Sequence, residues 1–199
     1  MAPGPRAGPP PDPVELLLER YSSGSPPKSS AGAAATIVLR PGGHGIETLL
    51  IERTVRPDDR ASGQVGLPGG HVDEEDRGLS DTALRELHEE VGLPPTSVDL
   101  PLRFVGIHEA SAFSLHVGIF ASRLRPGGPL PRPASESEVA HVFWFPLTGL
   151  SENVRVAVQT TRGTREVDAN IHDGHILWGF TRKVLRDFFD LPASDPSRH

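Results

Sequence analysis

Strand-like runs follow one another along most of the chain, separated by short turn signals. The first two flank the Gly-rich stretch "PGGHG", an arrangement typical of a β-hairpin. A second pair meets at Ser111-Ala112. The predicted strands occupy residues 33–40, 46–53, 98–110, 113–124, 139–147 and 154–160.

Helical spacing replaces the strand pattern near the beginning of the chain. Asp12 is a suitable N-cap, and Pro13 suits the first turn of a helix that starts there. Leu16, Leu17 and Tyr21 share one apolar side of this short helix.

A closing helix is predicted over residues 175–191. Its broad apolar face comprises Ile176, Leu177, Phe180, Val184, Leu185 and Phe188. Strands interleaved with helices indicate an α/β fold in which a mixed β-sheet is covered by helices.

Glycine and proline, 21 of each in 199 residues, suggest the domain organisation because they concentrate outside the strand-like runs. Residues 1–11 are predicted to be a disordered Pro/Gly-rich tail. Residues 12–32 form an N-terminal helix and linker, 33–190 the main domain, and 191–199 a flexible C-terminal tail.

A further helix is predicted over residues 81–91, with Ser80 or Asp81 at its start and Gly92 just past its end. Because each residue advances about 100° around a helix, three glutamates fall within an arc of about 100°. Three apolar residues occupy about 60° on the opposite side. The glutamates are Glu86, Glu89 and Glu90, and the apolar residues are Leu84, Leu87 and Val91.

Carboxylates at this spacing repel one another and weaken a helix by a few tenths of a kcal/mol per pair. A solvated acidic face would explain their polarity. The approach to the helix, residues 62–76, contains Pro68-Gly69-Gly70, and glycines let a backbone come close to a ligand. Mg²⁺ prefers carboxylates, water and phosphate oxygens. Three carboxylates with the Gly70 carbonyl nearby therefore indicate a cation site that neutralises the repulsion.

Residues 85–93, "RELHEEVGL", together with Gly70 resemble the signature of the Nudix hydrolase family. Every fixed position in the second half of that signature matches. In the first half, Asp76 stands where the family has Glu, and the distance from Gly70 to Arg85 is one residue longer. The aspartate shortens the arm of the carboxylate that the family pairs with the arginine. The resemblance implies a Nudix-like α/β/α sandwich with a mixed β-sheet.

Other stretches resemble the coenzyme A pyrophosphatase branch of this family. They are "LLIER" at 49–53, "GQVGLPGG" at 63–70, "TALRE" at 82–86 and "WGFT" at 178–181. Leu67 replaces the phenylalanine that is usual in that branch.

The resemblance implies roles for the residues of the acidic helix. The family hydrolyses nucleoside diphosphates linked to another group, X. Glu86 and Glu90 are expected to bind Mg²⁺ or Mn²⁺, and Glu89 is a third ligand or the general base. The carbonyl of Gly70 is an additional ligand, and Arg85 orients the carboxylates.

Several other residues have two open interpretations. Arg53 and Arg60 could grip phosphates, since guanidinium pairs well with phosphate oxygens, or could form surface salt bridges. His71 either touches the substrate or has no role. Glu136 and Glu138 are either solvated glutamates or a source of the base, which some family members recruit from this loop.

The branch resemblance implies cleavage of coenzyme A or its derivatives to 3′,5′-ADP and 4′-phosphopantetheine. The alternative substrates are ADP-ribose, a nucleotide sugar or a dinucleotide. A non-catalytic binding module that keeps the fold is an alternative of another class. The loops at 56–62 and 124–138 shape the pocket for X.

Composition excludes other classes of protein. The net charge is −6 and the sequence contains no basic stripe, which argues against nucleic acid as a partner. The absence of cysteine excludes disulfides and thiolate metal sites. No apolar run is long enough for a membrane span or a signal peptide. We therefore expect a cytoplasmic protein with a small-molecule partner, and a homodimer stays open.

Overall fold

The structure, a computed structural model, describes residues 11–56, 62–160 and 163–190. Its helices are α1 Pro13–Leu18, α2 Leu79–Val91 and α3 Gly179–Phe188. Its strands are β1 Ser22–Ser23, β2 Ala33–Gly42, β3 Gly45–Arg53, β4 Val65–Gly66, β5 Gly69–His71, β6 Arg103–Ala110, β7 Leu115–Arg123, β8 Val139–Pro146, β9 Val154–Thr160, β10 Gly163–His172 and β11 His175–Trp178. Of the predicted tails, residues 1–10 and 191–199 lie outside these ranges. No helix within the ranges is long and apolar enough to cross a membrane.

Strand β2 is the centre of a mixed sheet. It runs parallel to β7 along residues 33–39 and antiparallel to β3 along residues 39–42. β5 pairs with the beginning of β2, and β8 pairs with β3. The two predicted strand pairs are therefore confirmed as neighbouring antiparallel strands, β2 with β3 and β6 with β7.

Both faces of this sheet are covered, because side chains alternate between them along each strand. On β3, Leu50 packs in the core that contains residues of α1 and α3. Leu49 and Ile51 pack in the other core, beneath α2. The predicted α/β/α sandwich with a mixed sheet is confirmed.

Helix α1 begins where its sequence predicts. Asp12 caps it by accepting a hydrogen bond from the backbone N–H of Val14, 2.8 Å away. Its buried residues are Val14, Leu17 and Leu18. The inclusion of Leu16 in the apolar side is wrong, since Leu16 is 49% exposed.

The closing helix is shorter than predicted. Residues His175–Trp178 form β11, which pairs with β10 around a tight turn at Asp173 and Gly174, both with positive φ. The hydrogen bonds of this hairpin override the helical spacing of the apolar residues. Helix α3 begins only at Gly179. Strands β9, β10 and β11 make a second, antiparallel sheet, and β10 has no counterpart among the predicted strands.

Candidate active site

Helix α2 is the platform of the site. It begins at Leu79, two residues earlier than predicted, and ends as expected at Gly92, whose φ of 68° places it in the left-handed region. Leu87 and Val91 are buried beneath the sheet, as predicted, whereas Leu84 is only partly buried. The packing of this apolar side against the sheet fixes the orientation of α2. The glutamates on the other side of the helix therefore have defined neighbours.

Arg85 joins several of these neighbours. Its guanidinium donates to Asp76 at 3.1 and 3.3 Å, to Glu86 at 2.8 Å and to Glu89 at 2.9 Å. It also donates to the backbone carbonyl of His71 at 2.8 Å. These bonds raise the pKa of Arg85, chiefly through Asp76. Arg85 therefore connects the segment before the helix, through His71 and Asp76, with Glu86 and Glu89 on α2.

Asp76 reaches Arg85 despite its shorter arm. The carboxylate is 7% exposed, and it also accepts hydrogen bonds from Thr82 at 2.8 Å and from the backbone N–H of Asp73 at 2.9 Å. Burial alone would raise the pKa of Asp76, but the bonds from Arg85, Asp73 and Thr82 outweigh it and lower the pKa to about 2. Asp76 is therefore held as an ionised structural anchor.

Glu90 has a different environment on the same helix. It is 3% exposed and accepts one backbone hydrogen bond, from Gly69 at 2.9 Å, while Arg53 is 3.5 Å away. Burial, which the Gly69 bond only partly offsets, raises the pKa of Glu90 to about 7. Burial also raises the pKa of Glu86, against the opposing effect of Arg85. The neighbouring charges of Glu86 and Glu138 add to the shift at Glu90.

Glycines bring β5 against this carboxylate pair. A Cβ on Gly70 would lie 2.4 Å from an oxygen of Glu86. A Cβ on Gly69 would lie 2.4 Å from the carbonyl oxygen of Ala34 on β2. Only glycine at 70 therefore lets the strand backbone and the Glu86 carboxylate approach so closely.

The loop before β8 contains Glu138, an exposed glutamate whose charge acts on Glu86 and Glu90. The loop is hydrogen-bonded to the end of α2: the backbone N–H of Arg132 donates to the carbonyl of Val91 at 3.1 Å, and that of Ala134 donates to the carbonyl of Glu90 at 3.0 Å. The carbonyl of Glu138 accepts from Thr54, 2.9 Å away, just after β3. Its negative charge contributes to the raised pKa values of Glu86 and Glu90.

The structure thus brings together Glu86, Glu90 and Gly70, with Arg53 beside Glu90. Glu89 is exposed and turned toward Arg85. His71 contributes its backbone carbonyl to Arg85, and its side chain is exposed. Arg60 lies outside the described residues.

Sequence reasoning missed that the charge of Glu138 acts on Glu86 and Glu90, and how firmly Asp76 is held. For Asp76 the signal was the preserved carboxylate at a signature position. For Glu138 the signal was its place in the loop from which some family members recruit the base. Neither signal carries a distance, which the fold alone supplies.

The donor set at Glu86 and Glu90 suits a divalent metal. Carboxylate and backbone oxygens are the ligands that Mg²⁺ prefers, and the glycine at 70 leaves room for them. In the described part of the chain, no three acidic or histidine side chains converge as a complete ligand set. Water and phosphate oxygens commonly fill the remaining positions around Mg²⁺, so the two carboxylates and the Gly70 carbonyl fit such an ion.

An α/β/α sandwich with paired helical carboxylates beside a glycine-containing strand fits the class of hydrolases that use a divalent metal. The chain belongs to the Nudix family: the sequence profile of the NUDIX domain matches residues 30–163. The chain is accordingly a Nudix hydrolase. Such enzymes act on nucleoside diphosphate derivatives and generally use divalent metal ions.

Relatives support this assignment over most of the chain. The uncharacterized Nudix hydrolase NudL of Cronobacter sakazakii is 30% identical over 181 residues, which cover 87% of this chain and 88% of the relative. NudL of Citrobacter koseri is 33% identical over 147 residues, 70% of this chain and 71% of the relative. A MutT/nudix family protein from Enterococcus faecalis has the same fold, with a TM-score of 0.50, 15% identity and coverage of 90% and 69% of the two chains.

Proposed function

We propose that this hydrolase cleaves the diphosphate bond of coenzyme A or its acyl or oxidised derivatives, releasing 3′,5′-ADP and 4′-phosphopantetheine. The observation that carries the hydrolytic part is the pair Glu86 and Glu90. These neighbouring carboxylates have raised pKa values, and Glu90 is almost fully buried. Perturbed pKa values of this kind cluster at catalytic and ligand-binding sites.

The choice of coenzyme A is supported by the resemblance of three features to one branch of the family. They are the longer signature, the approach "GQVGLPGG" and the stretch "WGFT". In the fold, "WGFT" spans the junction of β11 and α3, and its Thr181 is buried. We therefore propose that "WGFT" contributes to packing of the domain. The signature and the stretch "GQVGLPGG" are the segments proposed to contact the substrate.

Glu86, Glu90 and the carbonyl of Gly70 are the proposed ligands of Mg²⁺ or Mn²⁺. When bound, such an ion supplies Lewis-acid stabilisation of the charge that develops on phosphoryl oxygens. The protein contributes the low exposure of Glu90, which strengthens electrostatic interactions in the site. Arg85 keeps Glu86 in place through its 2.8 Å bond.

Hydrolysis also needs an acceptor for the proton of the attacking water. We propose Glu138 for this role, because its charge reaches both Glu86 and Glu90 while its backbone is fixed between β3 and β8. Glu89 is the second candidate, but its carboxylate is engaged by Arg85 at 2.9 Å. Arg53, beside Glu90, is placed to pair with a phosphate oxygen of the substrate.

The 3′-phosphate of coenzyme A requires a cation as well. Arg53 and Arg60 remain the proposed partners of this phosphate, and His71 is proposed to contact the substrate. A cytoplasmic location and a homodimeric state stay predictions of the sequence, as do the boundaries of the domain at 33 and 190.

A substrate panel tests the proposal. Coenzyme A, dephospho-coenzyme A, ADP-ribose and a dinucleotide are compared under the same concentration of Mg²⁺ and then of Mn²⁺, with product masses determined. Coenzyme A is expected to have the highest kcat/KM and to yield 3′,5′-ADP. A preference of about tenfold over the dephospho form corresponds to about 1.4 kcal/mol of 3′-phosphate recognition.

Other outcomes of the panel discriminate among the alternatives. A much higher kcat/KM for ADP-ribose or a dinucleotide would refute coenzyme A as the substrate and retain the assignment as a hydrolase. Absence of turnover for every substrate, with intact folding, would favour the binding module.

A further inference from the structure

An open cavity of about 550 Å³ lies beside the active site, between the end of α2 and the loop before β8. Its volume falls within the range of about 300–1,000 Å³ that is usual for small-molecule sites. Its lining comprises His88, Glu89, Gly92, Pro129, Leu130, Arg132, Pro133 and Ala134. Glu89 belongs to both regions, because Arg85 connects its carboxylate with Glu86. The cavity is therefore a continuation of the acidic side of the helix.

The wall contributed by the loop is preformed. Arg132 and Ala134 are hydrogen-bonded to the carbonyls of Val91 and Glu90. Prolines at 129 and 133 further restrict the backbone. A ligand in this cavity would consequently not have to order the loop, which lowers the entropic cost of binding.

The chemistry of the lining is mostly apolar on the loop side. Leu130 is 80% exposed, so its side chain makes little contact with the described part of its own chain. Pro129, Pro133 and Ala134 extend this apolar wall, while His88 and Arg132 provide polar groups. Such a mixture suits an aliphatic chain that carries a few hydrogen-bonding groups.

The charges of the lining disfavour a phosphate as the main occupant, because the carboxylate of Glu89 lies in the same lining as Arg132. Cationic side chains hold a terminal phosphate best. This lining contains one arginine, Arg132, and it also contains the negatively charged Glu89. Arg53, by contrast, lies beside Glu90. The two substituents of a diphosphate therefore have different destinations.

We propose that the cavity binds the uncharged, amide-containing arm of the substituent X. This inference deepens the proposed function and rests on it for the identity of the arm, which in coenzyme A is pantetheine. The phosphorylated nucleoside then lies on the Arg53 side of the carboxylate pair. Leu130 and the two prolines determine the preference for a long aliphatic arm over a compact polar one.

The test uses the full chain, isotope-labelled and without added metal, titrated with 4′-phosphopantetheine while amide resonances are followed. Saturable shifts are expected at His88, Gly92, Leu130, Arg132 and Ala134. Inorganic phosphate serves as the control for the terminal phosphate, and it is expected to leave these resonances in place.

Substitution sharpens the result. Leu130→Asp is expected to raise the Kd for 4′-phosphopantetheine about tenfold, the ratio that about 1.4 kcal/mol of lost contact produces. The matched control, Leu16→Asp on α1, makes the same change at another exposed leucine and is expected to leave the Kd unchanged. Thermal unfolding checks that both variants fold.

Absence of shifts at the cavity residues, equal shifts with inorganic phosphate, or an unchanged Kd in Leu130→Asp would overturn the inference. Failure of the proposed function has a separate signature. If the chain does not release 3′,5′-ADP from coenzyme A but the cavity shifts are present and depend on Leu130, the substrate proposal fails and the cavity assignment is supported.

Discussion

Asp76 and Glu90 are both nearly buried carboxylates next to the same helix, yet their environments have opposite effects. Asp76 accepts hydrogen bonds from Arg85, Thr82 and a backbone N–H, and its pKa falls to about 2. Glu90 accepts one backbone bond and a long bond of 3.5 Å from Arg53, and burial still raises its pKa to about 7. The donors around Asp76 outweigh the effect of burial on its pKa, whereas those around Glu90 do not.

We infer from this difference that Asp76 has a structural role and that Glu86 and Glu90 have a functional one. A carboxylate that is satisfied by donors stabilises the fold and has little capacity left for a ligand. A buried carboxylate with few donors costs stability, and a cation can compensate it. We therefore expect substitutions at Asp76 to act on stability and those at Glu86 and Glu90 to act on turnover.

The largest effect is expected from Glu86→Gln and Glu90→Gln. Each removes a proposed metal ligand while keeping the side-chain shape, and a loss of several kcal/mol of transition-state stabilisation lowers kcat about a thousandfold. The melting temperature should not fall, because Gln removes a buried charge at 90 and can still accept the Gly69 hydrogen bond.

The matched control is Glu109→Gln, at an exposed glutamate on β6, which should alter neither property. Normal unfolding together with near wild-type kcat in the Glu86 and Glu90 variants would reject their assignment as ligands.

Glu138→Gln is expected to lower kcat about a hundredfold, since loss of a general base removes a factor of this order. Stability should stay constant, because the hydrogen bond that fixes residue 138 to Thr54 uses the backbone carbonyl. The kcat is measured by steady-state kinetics and compared with that of Glu136→Gln, a variant of an exposed neighbour in the same loop. Equal kcat values in the two variants would show that Glu138 is a solvated glutamate without a catalytic role.

Asp76→Asn should reverse the pattern. It weakens the anchor of Arg85, and we expect the free energy of unfolding to fall by about 2 kcal/mol, between the values for exposed and buried pairs. The kcat should fall only about tenfold, through loss of orientation. Urea denaturation measures the first quantity. Asp81→Asn, which breaks a pair with the exposed Arg77, should lower the free energy of unfolding much less, because water screens an exposed pair. An equal loss at both positions would contradict the role of Asp76 as an anchor.

The pH dependence of stability gives the smallest but most specific effect. The folded pKa of Asp76, about 2, lies below its ordinary value of 3.8. Its stabilisation is therefore fully present above the ordinary value and disappears as the pH falls through the folded value. The difference in unfolding free energy between wild type and Asp76→Asn should be constant near about pH 6 and shrink toward about pH 2. A difference that is independent of pH would show that ionised Asp76 is not the anchor.

Local patterns in the sequence predicted much of the fold. Strand-like runs and the turn signals between them located β2 with β3 and β6 with β7, and Asp12 and Gly92 located two helix ends. The sequence also contained a hairpin signal at Asp173-Gly174, since this dipeptide favours the turn between two strands. The helical spacing of the following apolar residues obscured it, and β11 was predicted as helix.

The candidate site was predictable only as far as helix geometry and family resemblance reach. The helical arc grouped Glu86, Glu89 and Glu90, but it could not show that Glu90 is buried beneath Gly69 while Glu89 turns to Arg85. These differences arise from contacts between segments far apart in the chain. The same is true of Glu138, which is 48 positions from Glu90 and approaches it through the loop that is hydrogen-bonded to the end of α2.

Calorimetric titration of the metal-free protein with Mn²⁺ tests most directly whether Glu86 and Glu90 hold the metal while Asp76 holds the fold. The account predicts binding by the wild type and by folded Asp76→Asn, with affinity at least about tenfold weaker in Glu86→Gln and Glu90→Gln, since a lost ligand removes at least about 1.4 kcal/mol. Wild-type Mn²⁺ affinity in Glu90→Gln, or its selective loss in folded Asp76→Asn, would contradict the account.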